Sequence, residues 1–116
     1  MAKKLVSYII CPVGELDSET RRDADHLQEL IINPALMQHN FTVERGDRSK
    51  ESNQIHEAVN TAVRNADLCV ADISPLVSDN GHTFYNPNVF YEVGRRMETA
   101  RPIVFYIAEN GEVRKK

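Results

Sequence analysis

No apolar run in the sequence is long enough to cross a bilayer, so no membrane-spanning helix is expected. The amino terminus, MAKKLVSYIICP, has charges followed directly by a strand-like segment and lacks a small-residue cleavage site; a cytoplasmic protein is expected. Cysteine is scarce: Cys11 and Cys69 make no disulfide framework, and both sit in strand-like apolar runs where a buried free thiol is the common fate. His26, His39 and His56 lack metal-ligand spacing with one another or with the cysteines, so no metal and no cofactor are expected. There is no excess of basic residues either. A net charge of −3 argues against a broad nucleic-acid surface and leaves only local anion binding. Repeats, low-complexity segments and internal linkers are absent too. What is there, 116 residues of which 41% are hydrophobic and 27% charged, is the makeup of one soluble domain over residues 1–116.

Along that domain strands and helices alternate. Leu5 to Cys11 is an apolar run stopped by Pro12 and Gly14 and reads as a buried first strand. A Ser cap at Ser18 precedes Ala24, Leu27, Ile31 and Ala35, the stripe of a first helix that Pro34 should kink or end. Phe41 to Glu44 is a short second strand and Gly46 to Glu51 a polar loop. Ser52 then caps a second helix with the stripe Ile55, Val59, Ala62, Val63 and Ala66. Leu68 to Ile73 is the third strand. Asn86 caps a third helix with Pro87 at its first position, its residues Val89, Phe90, Val93 and Met97 facing the sheet. Ile103 to Ala108 is the fourth strand.

This alternation predicts an α/β fold, a flavodoxin-like (Rossmann-like) three-layer parallel sheet of strand order 2-1-3-4 with helices on both faces. The usual architecture adds another helix and strand, whereas the tail Glu109 to Lys116 is short and polar. Either the domain belongs to a longer chain, or the fourth strand is an apolar edge that a second subunit covers. A homodimer or higher homo-oligomer is therefore expected, with Met97, Phe105 or Tyr106 near the contact.

Chemistry concentrates where ADLCVADIS delivers Asp72 to the carboxyl end of the third strand and NPNVFYEVG carries Glu92 on the following helix. Ligands of open parallel sheets bind outside the carboxyl ends of the strands, and two carboxylates converging there suit a nucleophile and an acid/base. The bland alternatives are Asp72 capping its own turn and Glu92 paired with Arg96 at i,i+4. Pro12, Gly14 and Ser18, with Arg21 or Arg22, read as an anion-holding loop at a helix amino terminus, or as a simple turn. The loop Pro75 to Tyr85, with His82, is long and polar and suits a lid. Gly94 reads as a place where a side chain would obstruct close approach of the helix to the sheet or to substrate.

ADLCVADIS followed by NPNVFYEVGRR and RPIVFYI, together with YIICPVGELDSETRRDAD at the start, resembles the nucleoside 2-deoxyribosyltransferase family and its TIR-like relatives over about residues 5 to 108. The resemblance implies that Glu92 matches the nucleophilic glutamate, with Asp72 positioning the sugar or handling a proton. Asp47 matches an acidic position of the TIR-like relatives and either meets a ribose hydroxyl or makes a turn. Pro12, Gly14, Ser18, Arg21, Asp47, Ser74, Asn86 and Asn88 form the expected substrate-binding set. The implied function is cleavage or transfer at the N-glycosidic bond of a nucleoside or nucleotide; the alternatives are NAD cleavage and a non-catalytic nucleotide-sensing module. The loop before Asn86 is longer than the family pattern, which leaves substrate identity open.

Overall fold

The structure, a computed structural model, describes residues 4–13, 18–46, 52–78, 80–108 and 114–115. The main sheet has four parallel strands, β1 (Leu5–Ile10), β2 (Phe41–Arg45), β3 (Leu68–Asp72) and β6 (Ile103–Tyr106), in the order β2-β1-β3-β6. This is the flavodoxin-like order expected from the alternation. Two short strands between β3 and the last helix, β4 (Leu76–Val77) and β5 (Thr83–Phe84), form a hairpin, and β7 (Arg114–Lys115) pairs with β4 to complete a second, three-stranded sheet. The segment expected as a lid is therefore built structure. Its turn is closed by the Ser78 N–H donating to the His82 carbonyl (2.8 Å), with Gly81 at φ +84° supplying the left-handed residue. Buried Leu76 anchors the hairpin to the body.

Helices lie on both faces because successive strand residues point to opposite sides. Tyr8, Ile10, Cys69 and Ala71 pack against α3 (Ser52–Asn65) and α4 (Pro87–Met97) through Val63, Val89 and Val93. Ile9 and Val70 pack on the other face against Leu27, Ile32 and Leu36. Those last three belong to one helical run: α1 (Glu19–His26), a π-helical stretch Leu27–Ile32, and α2 (Asn33–Met37). Ser18 caps α1 as expected, its Oγ accepting from the Arg21 N–H at 3.0 Å.

The π-helical stretch changes which residues are buried. Pro34 cannot donate to the Leu30 carbonyl four residues back, and its ring would clash there. Widening the turn removes that clash. The phase then slips by one residue, so Ile32 is buried while Ile31, expected in the stripe, is 47% exposed. Pro34 thus alters the helix without ending it.

The stripe of α4 also differs from expectation. Val89 and Val93 are buried, but Phe90 and Met97 are exposed, and the third buried residue is Arg96. Gly94 lies on the exposed side, and a Cβ built there would meet nothing within 4 Å. The steric requirement expected at Gly94 for packing of the helix on the sheet does not exist. Gly94→Ala should therefore stabilise the protein by about 1 kcal/mol through helix propensity, read as a raised denaturant midpoint; a destabilised variant would contradict the open space. Among the described residues no helix is long and apolar enough to cross a membrane.

Candidate active site

β1 ends in Ile10, and the chain turns through Cys11-Pro12-Val13 just where β2, its neighbour on one side, runs into Gly46. β3 flanks β1 on the other side and leads towards α4. Helices leaving β1 and β3 go to opposite faces, which opens a crevice at the carboxyl ends. The cleft there has a volume of about 260 Å³. Cys11, Pro12 and Gly46 form its strand-side wall, Val59 and Asn60 come from α3, and Asn86, Asn88, Tyr91 and Glu92 come from the start of α4.

Local chemistry fixes the α4 side. Asn86 adopts extended backbone, and its Oδ1 accepts from the N–H groups of Asn88 (2.9 Å) and Val89 (3.1 Å). This satisfies donors at the helix start, as the sequence implied. Glu92 is the sixth residue of α4, counting Pro87 as the first, so it sits in the second turn and is half-buried at the cleft wall. The helix dipole acts on it less than on a first-turn carboxylate. Arg96, its i,i+4 partner in the bland alternative, is turned away into the protein.

Tyr8 was not anticipated. Its ring is 4% exposed in the α3/α4 core while its hydroxyl end reaches the cleft. Burial, followed by the nearby Glu92 carboxylate, pushes the phenol well above its ordinary range, against a hydrogen bond with the Gly46 backbone. Tyr8 is thus held as a neutral hydroxyl beside Glu92. Beneath it, burial also pushes the Cys69 thiol up, against the pull of the Arg96 and Arg101 charges.

Gly46 is small for a reason of space. A Cβ there would overlap the Tyr8 hydroxyl and stand 3.1 Å from Val59 Cγ2. Gly46→Ala should push the Tyr8 ring across the cleft and cost about 1–3 kcal/mol of stability by overpacking. Any activity of the cleft should fall on the order of 100-fold, the scale of a misplacement of about 1 Å. A fully active, fully stable alanine variant would show that Tyr8 and Glu92 do not act together.

The other expected residues divide. Pro12, Asn86, Asn88 and Glu92 share the cleft. Ser18 and Arg21 do not line it; the Arg21 Nε–H donates to the carbonyl of Val13 (3.4 Å), bracing a wall residue from behind. Asp72 is 1% exposed, and its Oδ1 accepts the Ser74 N–H at 3.0 Å. Its neighbours Ala71 and Ile73 pack towards α3 and α4, so the Asp72 side chain leaves β3 on the opposite face from Glu92. Ser74 Oγ accepts the Ala108 N–H at 2.8 Å, locking the end of β6 to the turn after β3. Gly14 and Asp47 lie outside the described residues. His82 is exposed in the hairpin turn. Among the described residues no group of three or more His, Cys, Asp or Glu could hold a metal ion.

Of the residues missed, Tyr8 had one usable signal: a phenol alternating with aliphatic residues in a buried strand needs somewhere for its hydroxyl to go. Nothing in the sequence marks Asn60 or Tyr91.

No family model and no curated protein matches the chain in sequence. Solved structures do match in fold. One is a 2-deoxyribosyltransferase from Leishmania mexicana, with a TM-score of 0.67 over 90% of this chain at 12% identity. Another is the CMP N-glycosidase BcmB of Clostridium botulinum, with a TM-score of 0.55 over 90% of this chain at 14% identity. The chain spans 65% of the length of the first and 70% of the second. Its α/β architecture, with strand order β2-β1-β3-β6 and a cleft at the carboxyl ends, is a nucleoside 2-deoxyribosyltransferase-like fold.

Proposed function

We propose that the cleft binds a nucleoside or nucleotide and that Glu92 opens its N-glycosidic bond. The observation that carries this reading is the placement of one half-buried carboxylate, Glu92, beside the neutral hydroxyl of Tyr8 in a cleft at the carboxyl ends of the strands. A volume of about 260 Å³ falls just below the usual span of ligand sites, about 300–1,000 Å³. The fold is that of two proteins named for chemistry at such bonds.

In the proposed reaction a Glu92 oxygen attacks C1′ as the C1′–N bond breaks, giving a glycosyl ester, and the base leaves with a proton taken from solvent or an acid of the site. Water then attacks C1′, yielding the free sugar and restoring the carboxylate; a second base in place of water gives transfer. The neutral Tyr8 hydroxyl, close enough to Glu92 to feel its charge, steadies the carboxylate, and Asn86 and Asn88 offer hydrogen bonds to sugar or base. Asp72 acts indirectly, by holding the turn that leads from β3 towards α4. Arg21 has the same indirect role for the loop after β1, and the working assembly is a homo-oligomer in the cytoplasm, where such substrates are abundant.

Chromatography after incubation with deoxynucleosides, deoxynucleoside monophosphates, CMP and NAD tests the reading. Free base from a nucleoside or nucleotide is expected, and base exchange in the presence of a second base distinguishes transfer from hydrolysis. Release of nicotinamide alone would move the activity to NAD, and no base from any of them would overturn the proposal.

A further inference from the structure

β6 is an edge strand of the main sheet, and its composition is that of an interior one. Only β3 pairs with it among the described residues. Ile103 packs on the α3/α4 face and Tyr106 on the α1 face, so by alternation Phe105 shares the first face and Val104 the second. Both are bare, Phe105 at 47% and Val104 at 52% exposed, and Ile107 just beyond the strand is 59% exposed. Protected edges carry lysine, internal proline or a bulge, and 103–107 contains none of these groups.

This edge, unpaired among the described residues, is also self-complementary. The Cys69 N–H donates to the Pro102 carbonyl and the Ile73 N–H to the Tyr106 carbonyl, so the backbone groups of 102, 104 and 106 face β3. Those of Ile103, Phe105 and Ile107 face outward. An antiparallel copy related by a two-fold axis at Phe105 sets Ile103 against the partner's Ile107, Val104 against the partner's Tyr106, and Phe105 against the partner's Phe105. Each outward N–H then meets an outward carbonyl, and every cross-strand neighbour is apolar or aromatic.

We propose that two copies of this chain dock edge to edge through antiparallel β6–β6 pairing centred on Phe105, making one continuous eight-stranded sheet. This goes beyond the cleft's chemistry and stands whether or not Glu92 is catalytic.

Light scattering across the micromolar range should give twice the 13.2 kDa chain mass. Phe105→Pro removes an outward N–H and leaves the β3 ladder intact; it should be monomeric with an unchanged circular dichroism spectrum. Should that variant misfold, cysteine cross-linking decides. A hydrogen-bonded antiparallel pair sets its Cα atoms about 5.5 Å apart, within disulfide reach. Phe105→Cys should therefore give a covalent dimer under mild oxidation, and Val104→Cys, facing the partner's Tyr106, should not. A monomer, whether its edge is covered by its own tail or by another protein, overturns the proposal. So does a dimer that survives Phe105→Pro, or one in which Val104→Cys cross-links as readily as Phe105→Cys.

Discussion

Replacing Arg96 by alanine should cost about 3–5 kcal/mol, the scale of emptying a large buried side-chain site and leaving a buried carbonyl without its donor, and so remove a large share of the roughly 5–15 kcal/mol typical of a domain. Arg96 is wholly buried. Its Nη1 donates to the carbonyls of Val63 (3.0 Å) and Ala66 (2.8 Å), and its Nε and Nη2 donate to the carbonyl of Pro102 (3.2 and 2.8 Å). Val63 is in the last turn of α3 and Ala66 just follows the helix, where carbonyls lack helical partners and the dipole is negative. Pro102 leads into β6. One guanidinium thus ties α4 to the end of α3 and the start of β6, with no carboxylate among these contacts. Alanine takes the guanidinium donor from the Ala66 carbonyl, a loss of about 1–3 kcal/mol for a buried group left unpaired; it leaves the Val63 carbonyl with the weaker Cys69 thiol and the Pro102 carbonyl with the Cys69 N–H, and opens a cavity as well. Arg96→Met separates the two contributions, because it restores most of the volume and none of the donors; it should recover less than half of the loss. Denaturant midpoints decide it, and a loss below about 1 kcal/mol for alanine would show that water replaces the guanidinium.

Arg96 also marks where the sequence stops being legible. The strands could be read because each is a short apolar run with β-branched residues and a turn signal after it, and Ser18 and Asn86 because capping is a local interaction. The one role the sequence offers Arg96 is as an alternative surface partner of Glu92, since nothing near it in the chain reveals the carbonyls waiting 30 and 33 residues away. The slip from Ile31 to Ile32 has a local cause in Pro34, but a helix can answer a proline by stopping, kinking or widening, and tertiary packing chooses. In the cleft, Pro12, Asn86, Asn88 and Glu92 were recognisable from their segments. Tyr8 and Gly46 meet only because β1 and β2 are paired in register, with Tyr8 opposite Glu44. Asp72 shows the reverse case. Its segment was right and its direction was not, because the parity of β3 puts Ala71 and Ile73 on the α4 side.

The placement of Glu92 leads to the second large expectation. Glu92→Gln should reduce base release by at least on the order of 10³-fold, the scale of removing a nucleophile, while the fold stays intact. The side chain is half-buried at a cleft wall and belongs to neither core cluster, so a neutral isostere leaves the packing of α4 unchanged. Glutamine retains shape and hydrogen bonding and loses the charge that forms an ester or steadies a cationic sugar. Tyr8→Phe should act on the same step more weakly, about 10-fold or more, since it removes the hydroxyl beside the carboxylate and keeps the ring that fills the core. Measuring both variants together is informative because Tyr8 works through Glu92: in the Glu92→Gln background the Tyr8 change should have little further effect. Additive losses would mean that Tyr8 meets the substrate independently. Undiminished turnover by Glu92→Gln would remove Glu92 from the mechanism and leave the cleft as a binding site.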